Sequence, residues 1–237
     1  NSGTNGTVNL TAGGSLTLPA LGIDTGTADL TLAANGGALV MPGALSGANV
    51  TLSGRDGITL GSNLTSAGTV TLTSSSGAIS QTGGVLTAGT LTGSSAGDTT
   101  LGKANHVGTL GAFSAADFTL TNAQALTVGS NLVVGGGTGA IALTTTSGAL
   151  TIQHDLNGGS LSLKSAGNLS LAGNLVGSSV ALVSAGNITQ SAGVIQAGTL
   201  TGQAGGSATL ARANKICTLG NFGATNGLSI SNAQALT

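Results

Sequence analysis

Apolar, polar and apolar residues follow one another in short triplets along the whole chain. These triplets begin at Val8, Leu30, Val50, Val70, Leu91, Phe118, Ile141, Leu161, Val180, Leu200 and Leu228. Strict alternation is the period of a strand with one face buried. Most steps between triplets are about 20 residues, a spacing typical of repeat architectures. Two steps, Leu91 to Phe118 and Leu200 to Leu228, are distinctly longer. A second triplet follows shortly after the first at Leu16, Leu39, Ile58, Leu126, Leu150 and Leu169. Gly, Asn, Ser and Asp between the triplets supply turns. No apolar stripe at helical spacing is present, and glycine recurs too often for helix. Short strands at a fixed period predict a chain that returns above its own start, each coil pairing in parallel with the next at about 4.8 Å. The predicted fold is therefore all-β, a right-handed parallel β-helix of about eleven coils, with the hand set by the crossover rule. The two long steps predict coils that carry a loop. An antiparallel sandwich accounts for the fine spacing but not for the longer repeat described next.

Residues 81–127 recur as 190–237: GGVLTAGTLTG matches AGVIQAGTLTG, and both segments end in NAQALT. Residues 30–64 align without gaps to 141–175. The chain thus reads as one solenoid over 1–237, built from copies of about 110 residues that themselves contain the shorter repeat. Residues 1–18 close a preceding copy, 19–127 form copy one and 128–237 form copy two. With no initiating Met, the chain reads as a piece of something longer.

Composition narrows the chemistry. Charged residues are 5% of 237, there is no Glu, and the net charge is −1, against about a quarter charged in an ordinary domain. General acid–base catalysis, phosphate binding and nucleic-acid binding all draw on charge, so an enzyme and a nucleic-acid partner are not expected. No apolar run approaches the ~20 residues of a membrane span. The one Cys, Cys217, has no internal partner for a disulfide.

Three constellations carry candidate chemistry. Residues 97–103, GDTTLGK, fit the start of a phosphate-binding loop. Ala104 stands where a metal-binding hydroxyl is needed, and copy two reads GSATLAR, so a basic turn is the better reading. His154-Asp155 has Gly43-Ala44 as its copy-one equivalent and reads as a turn rather than half of a triad. His106 aligns with Lys215, a polar exposed position. The six Asp residues are dispersed, which supports neither a lyase cleft nor a metal site, and no cofactor is expected.

Hydroxyls do recur. The outward middle residues of the triplets include Thr31, Thr51, Thr71, Thr92 and Thr119. Stacked at sheet spacing they form an uncharged ladder, either because β-branched Thr suits a strand facing water or because the ladder is an adhesive face for glycan or ice. Six Asn-x-Ser/Thr sequons, at Asn5, Asn9, Asn49, Asn63, Asn168 and Asn187, are mostly what chance gives in such a chain.

Units such as AGNLSLAGNLVGSSVALVSAGNITQSAGVIQAGTLTG, residues 166–202, resemble the β-helical repeats of filamentous haemagglutinin-like exoproteins. The resemblance covers essentially the whole chain as a repeat pattern. It implies a large bacterial protein of two-partner secretion, exported through an outer-membrane barrel partner and displayed at the cell surface or released. This segment would be its non-catalytic shaft, holding a distal binding or toxic domain away from the cell. Neighbouring repeats, and a glycan or protein of a host or neighbouring cell, are the implied partners. A glycan- or ice-binding β-helix is the alternative, and a polysaccharide-degrading one is a weaker third.

Overall fold

The structure is a computed structural model, and it describes residues 6–237. Almost every element is a strand; the one exception is a single 3-10 turn at Gly135–Gly137. The strands pair in parallel and stack as a β-solenoid of about eleven turns. Contacts divide the chain into two units, 6–116 and 117–237.

In the first unit each coil has three faces. The first carries a column of inward residues in register, Leu30, Val50, Val70, Leu91 and Leu110. The second stacks Leu39, Ile58 and Ile79, and the third Ile23, Leu45, Leu64 and Leu86. The alternation Leu30-Thr31-Leu32 puts both leucines fully inside, each burial stabilising by about 2 kcal/mol. The third face escapes the triplet pattern because its strands, such as Ile23–Asp24, are only two or three residues long at first. One inward side chain makes no alternation.

The second unit repeats the arrangement. Phe118, Ile141, Leu161, Val180, Leu200 and Leu219 form the first column. Leu126, Leu150, Leu169, Ile188, Ala208 and Leu228 form the second. Leu132, Leu156, Leu175 and Ile195 form the third.

These registers correct the reading of the long steps. Leu91 pairs with Leu110 and Leu200 with Leu219, so the two long steps are not coils with a loop. Each is one ordinary coil, Leu91 to Leu110 or Leu200 to Leu219, followed by the next face. That coil is hidden in the sequence because Leu110 and Leu219 lie in TLGAF and TLGNF, where the triplet is interrupted. There the register shifts, and Phe113 comes to lie beside Gly93 and Phe222 beside Gly202. A Cβ on Gly202 would stand 2.5 Å from the Phe222 ring and 2.6 Å from the Leu182 carbonyl oxygen, so only glycine admits the aromatic ring above it.

Phe118 and Leu228 are equivalent positions of successive copies. Within residues 117–237, however, Phe118 heads the first-face column while Leu228 lies on Ala208 in the second. One copy is therefore five turns plus one face, not a whole number of turns. Ser229, the outward middle residue of the Leu228 triplet, pairs with Thr209 of the second face rather than with Thr201 of the first.

Candidate functional site

The outward side of the first unit's first face is the clearest repeated chemistry. Its middle file runs Asn9, Thr31, Thr51, Thr71, Thr92, each residue the register partner of the next. Thr119 lies in the other unit. It belongs to 117–237, where its partner is Ala142, followed by Ser162, Ala181 and Thr201. Two flanking files lie outside the apolar triplets. Thr69, Thr90 and Thr109 align on one side, and Thr11, Ala33, Ser53, Thr73, Ser94 and Ser114 on the other. The middle Thr residues are half-buried by their neighbours, and the Thr71 and Thr92 hydroxyls hydrogen-bond at 3.1 Å. The result is an uncharged array of hydroxyls and methyls, about 4.8 Å apart between coils and about 6.6 Å along each strand.

Many polar side chains elsewhere bind one coil to the next. Asn49, Asn63, Asn168 and Asn187 each accept, at Oδ1, the backbone N–H of Thr69, Val85, Asn187 and Ser207 respectively, at 2.8–2.9 Å. These are four of the six sequons, and the ladder gives their asparagines a structural role. Asn5 lies outside the described residues, and Asn9 stands in the strand Val8–Ala12. The carboxylates work in the same way. Asp29 accepts from Asn49, Asp117 from the Ala140 N–H and Asp155 from Asn174. Asp24 accepts from the Ser46 hydroxyl at 2.7 Å and the Gly26 N–H at 2.9 Å. Those two donors, the hydroxyl first, hold its carboxyl below the ordinary carboxylate range. Arg55 and Asp56 form an exposed pair at 3.6 Å, worth little in water.

Residues 97–103 lead into and lie along the strand Thr99–Ser114, so no helix N-terminus faces a phosphate there. His154 and Lys103 are exposed, and Asp155 is occupied by Asn174. His106 pairs with Thr87 on the third face, in the register that Lys215 shares with Gln196.

The buried polar chemistry includes a pair of amides repeated in both copies. Gln81 continues the Met41–Leu60 column and Asn105 continues that of Leu64–Leu86. Asn105 Nδ2 donates to Gln81 Oε1 at 3.0 Å and to the Leu101 carbonyl at 3.1 Å. Its Oδ1 accepts from Gln81 Nε2 and from the Leu86 N–H, both at 2.8 Å. Gln190 and Asn214 repeat the pattern at 3.0, 3.0, 2.8 and 2.8 Å. Among the described residues no buried side-chain nitrogen or oxygen lacks a partner.

No family model, curated protein or solved structure matches this chain.

Proposed function

We propose that this chain is a stretch of structural shaft from a large secreted or surface-displayed bacterial adhesin of the filamentous haemagglutinin-like kind. It would leave the cell through an outer-membrane barrel partner and take no part in catalysis. The observation that carries this reading is the copy length of five turns plus one face. A side-on adhesive face repeated from copy to copy requires a whole number of turns, so that equivalent residues line up. Here equivalent residues move to the next face, a design suited to reach in any azimuth rather than to one sticky side. The polar side chains support it, since many of them, the asparagines and carboxylates above all, serve coil-to-coil bonds. Coils that contact only their neighbours also allow folding to follow emergence from a pore, each coil templating the next.

The three hydroxyl files of the first unit favour a second reading, a binding face for a regular uncharged surface such as glycan or ice. Replacing Thr51, Thr71 and Thr92 together with Lys separates the two. A shaft keeps its circular dichroism, its export and the surface binding of the protein that contains it. Loss of saturable glycan or ice binding in the triple variant, with the fold intact, overturns the shaft reading in favour of the face.

A further inference from the structure

We propose that residues 117–237 carry a lateral trough for a linear, hydroxyl-rich glycan strand lying across the coils. It is separate from the hydroxyl face and independent of the shaft reading. The third face of this unit projects Val133, Asn157, Val176, Gln196 and Lys215 in one register column. Beside that column, where each coil turns toward its first face, glycines leave the corner bare. A Cβ on Gly159 would collide with the Thr138 carbonyl oxygen, and one on Gly198 would stand 2.6 Å from that of Ser178. Stacking therefore forbids side chains at Gly159 and Gly198, and a cavity of about 700 Å³ opens along the corner.

What lines the trough is not forced by stacking. Thr138, Ser178, Gln196, Lys215 and Gln234 line it, giving two hydroxyls, two amides and one ammonium, with no carboxylate. The Thr138 and Ser178 hydroxyls donate to the Gly135 and Gly159 carbonyls and Gln234 Nε2 to Cys217 Sγ, so those three offer a ligand chiefly acceptor oxygens. On the other side of the column, Asn131, Asp155 and Asn174 spend their side-chain oxygens on the next coil. Gln196 and Lys215, among the described residues, have no side-chain hydrogen bond. Both are exposed. Amides and hydroxyls each donate and accept, and ammonium donates. That set matches the hydroxyls and ring oxygens of a sugar, which also donate and accept. The trough crosses six coils, about 24 Å at about 4.8 Å per coil. That spacing is close to the length of one sugar in an extended chain, so like contacts recur from coil to coil. Copy one places Thr87 and His106 at the matching register, a shorter hydroxyl and an imidazole, so the polar wall is a feature of copy two's own sequence.

The test titrates the intact chain with cellohexaose and, in parallel, with a hexagalacturonate of the same length. Binding is followed by calorimetry and by the NMR signals of the Gln196 side-chain amide. One saturable site is expected, with the Gln196 signals shifting. The copy-one exchanges Gln196→Thr and Lys215→His, both at exposed positions, should each weaken binding by about tenfold, the loss of one ligand hydrogen bond. The Thr51→Lys, Thr71→Lys and Thr92→Lys variant should bind as the parent does. Tighter binding of hexagalacturonate that vanishes in Lys215→His also supports the site and assigns it an acidic glycan. Absence of saturable binding by either probe overturns the proposal, as does binding that neither exchange weakens; the bare corner is then a product of stacking alone.

Discussion

The two copies agree inside and differ outside. Gln81 with Asn105 and Gln190 with Asn214 make the same four hydrogen bonds. Only one length differs: the amide-to-carbonyl bond is 3.1 Å from Asn105 to Leu101 and 3.0 Å from Asn214 to Leu210. Phe113 and Phe222 lie beside Gly93 and Gly202 in the same register. The outward columns share no such rule. The first face shows Thr31, Thr51, Thr71 and Thr92 in one unit and Ala142, Ser162, Ala181 and Thr201 in the other. The third face shows Asp24 and Ser46 in one, Val133 and Asn157 in the other. Stacking fixes what points inward and what stands at the corners, because every coil must fit its neighbours. It leaves the outer files open to whatever function or drift supplies.

The sharpest way to break that symmetry is to remove a buried amide. Asn105→Leu restores the aliphatic column but takes from Gln81 its amide partner, leaving it the Gly84 carbonyl and the Lys103 N–H, and leaves the Leu86 N–H without its acceptor. Buried donors left unmade cost about 1–3 kcal/mol each, and the shared network couples them, so a loss of about 3 kcal/mol is expected. Asn214→Leu should lose a similar amount, since the four shared bonds are the same, the further donation from Asn214 to the Ser231 carbonyl lying outside them. Urea unfolding followed by hydrogen exchange at the Leu86 and Ile195 amides measures both. Unequal losses, differing by more than the ~0.5 kcal/mol scatter of independent sites, would show that the copies are not energetically equivalent inside.

Much of this fold is legible in the sequence, and the failures have physical causes. Leu30-Thr31-Leu32 and Phe118-Thr119-Leu120 declare a half-buried strand by alternation alone. Ile23-Asp24 and Leu132-Val133 carry one inward residue each, so the third face, and with it the trough, gives no periodic signal. Leu110 and Leu219 escape the pattern because a glycine and a displaced phenylalanine interrupt the triplet. The triplets mark only the middle file of the hydroxyl ladder, and Thr119 shares that file's pattern without sharing its neighbours. The amides Gln81 and Asn105 are polar residues in apolar columns, a pairing that only the register of two coils brings together.

The offset between copies can be checked by proximity. In a Cys217→Ser background, pyrene on Thr209→Cys and Ser229→Cys should give strong excimer emission, because those positions are register partners about 4.8 Å apart. The pair Thr201→Cys and Ser229→Cys should give little, since Thr201 stands on the first face. Excimer from the second pair instead of the first would restore whole-turn copies with a loop, and the argument for the shaft would lose its support.

The smallest contrast lies in pH response. Asp24 accepts the hydroxyl of Ser46 from the neighbouring coil of the first unit, while the corresponding positions of the second unit are Val133 and Asn157, which cannot titrate. The Asp24 carboxyl is held below its ordinary range by the Ser46 hydroxyl and then by the Gly26 N–H. A depressed carboxyl stabilises the fold above its unfolded-state value, and that contribution disappears as pH falls through the folded value. The group is fully exposed, so the effect is confined to local fraying of the strand pair Ile23–Asp24 and Leu45–Gly47. Carboxyl-carbon NMR should place the Asp24 midpoint below that of a free aspartate, and Ser46→Ala should move it back up. Acid should quicken hydrogen exchange at Thr25, whose N–H bonds to the Ser46 carbonyl, and leave Val134, bonded in the same way to Asn157, relatively unaffected once the intrinsic pH dependence of exchange is divided out. Equal acceleration at both would mean that the third faces respond to acid as one element, and that the difference between their outer files has no local consequence.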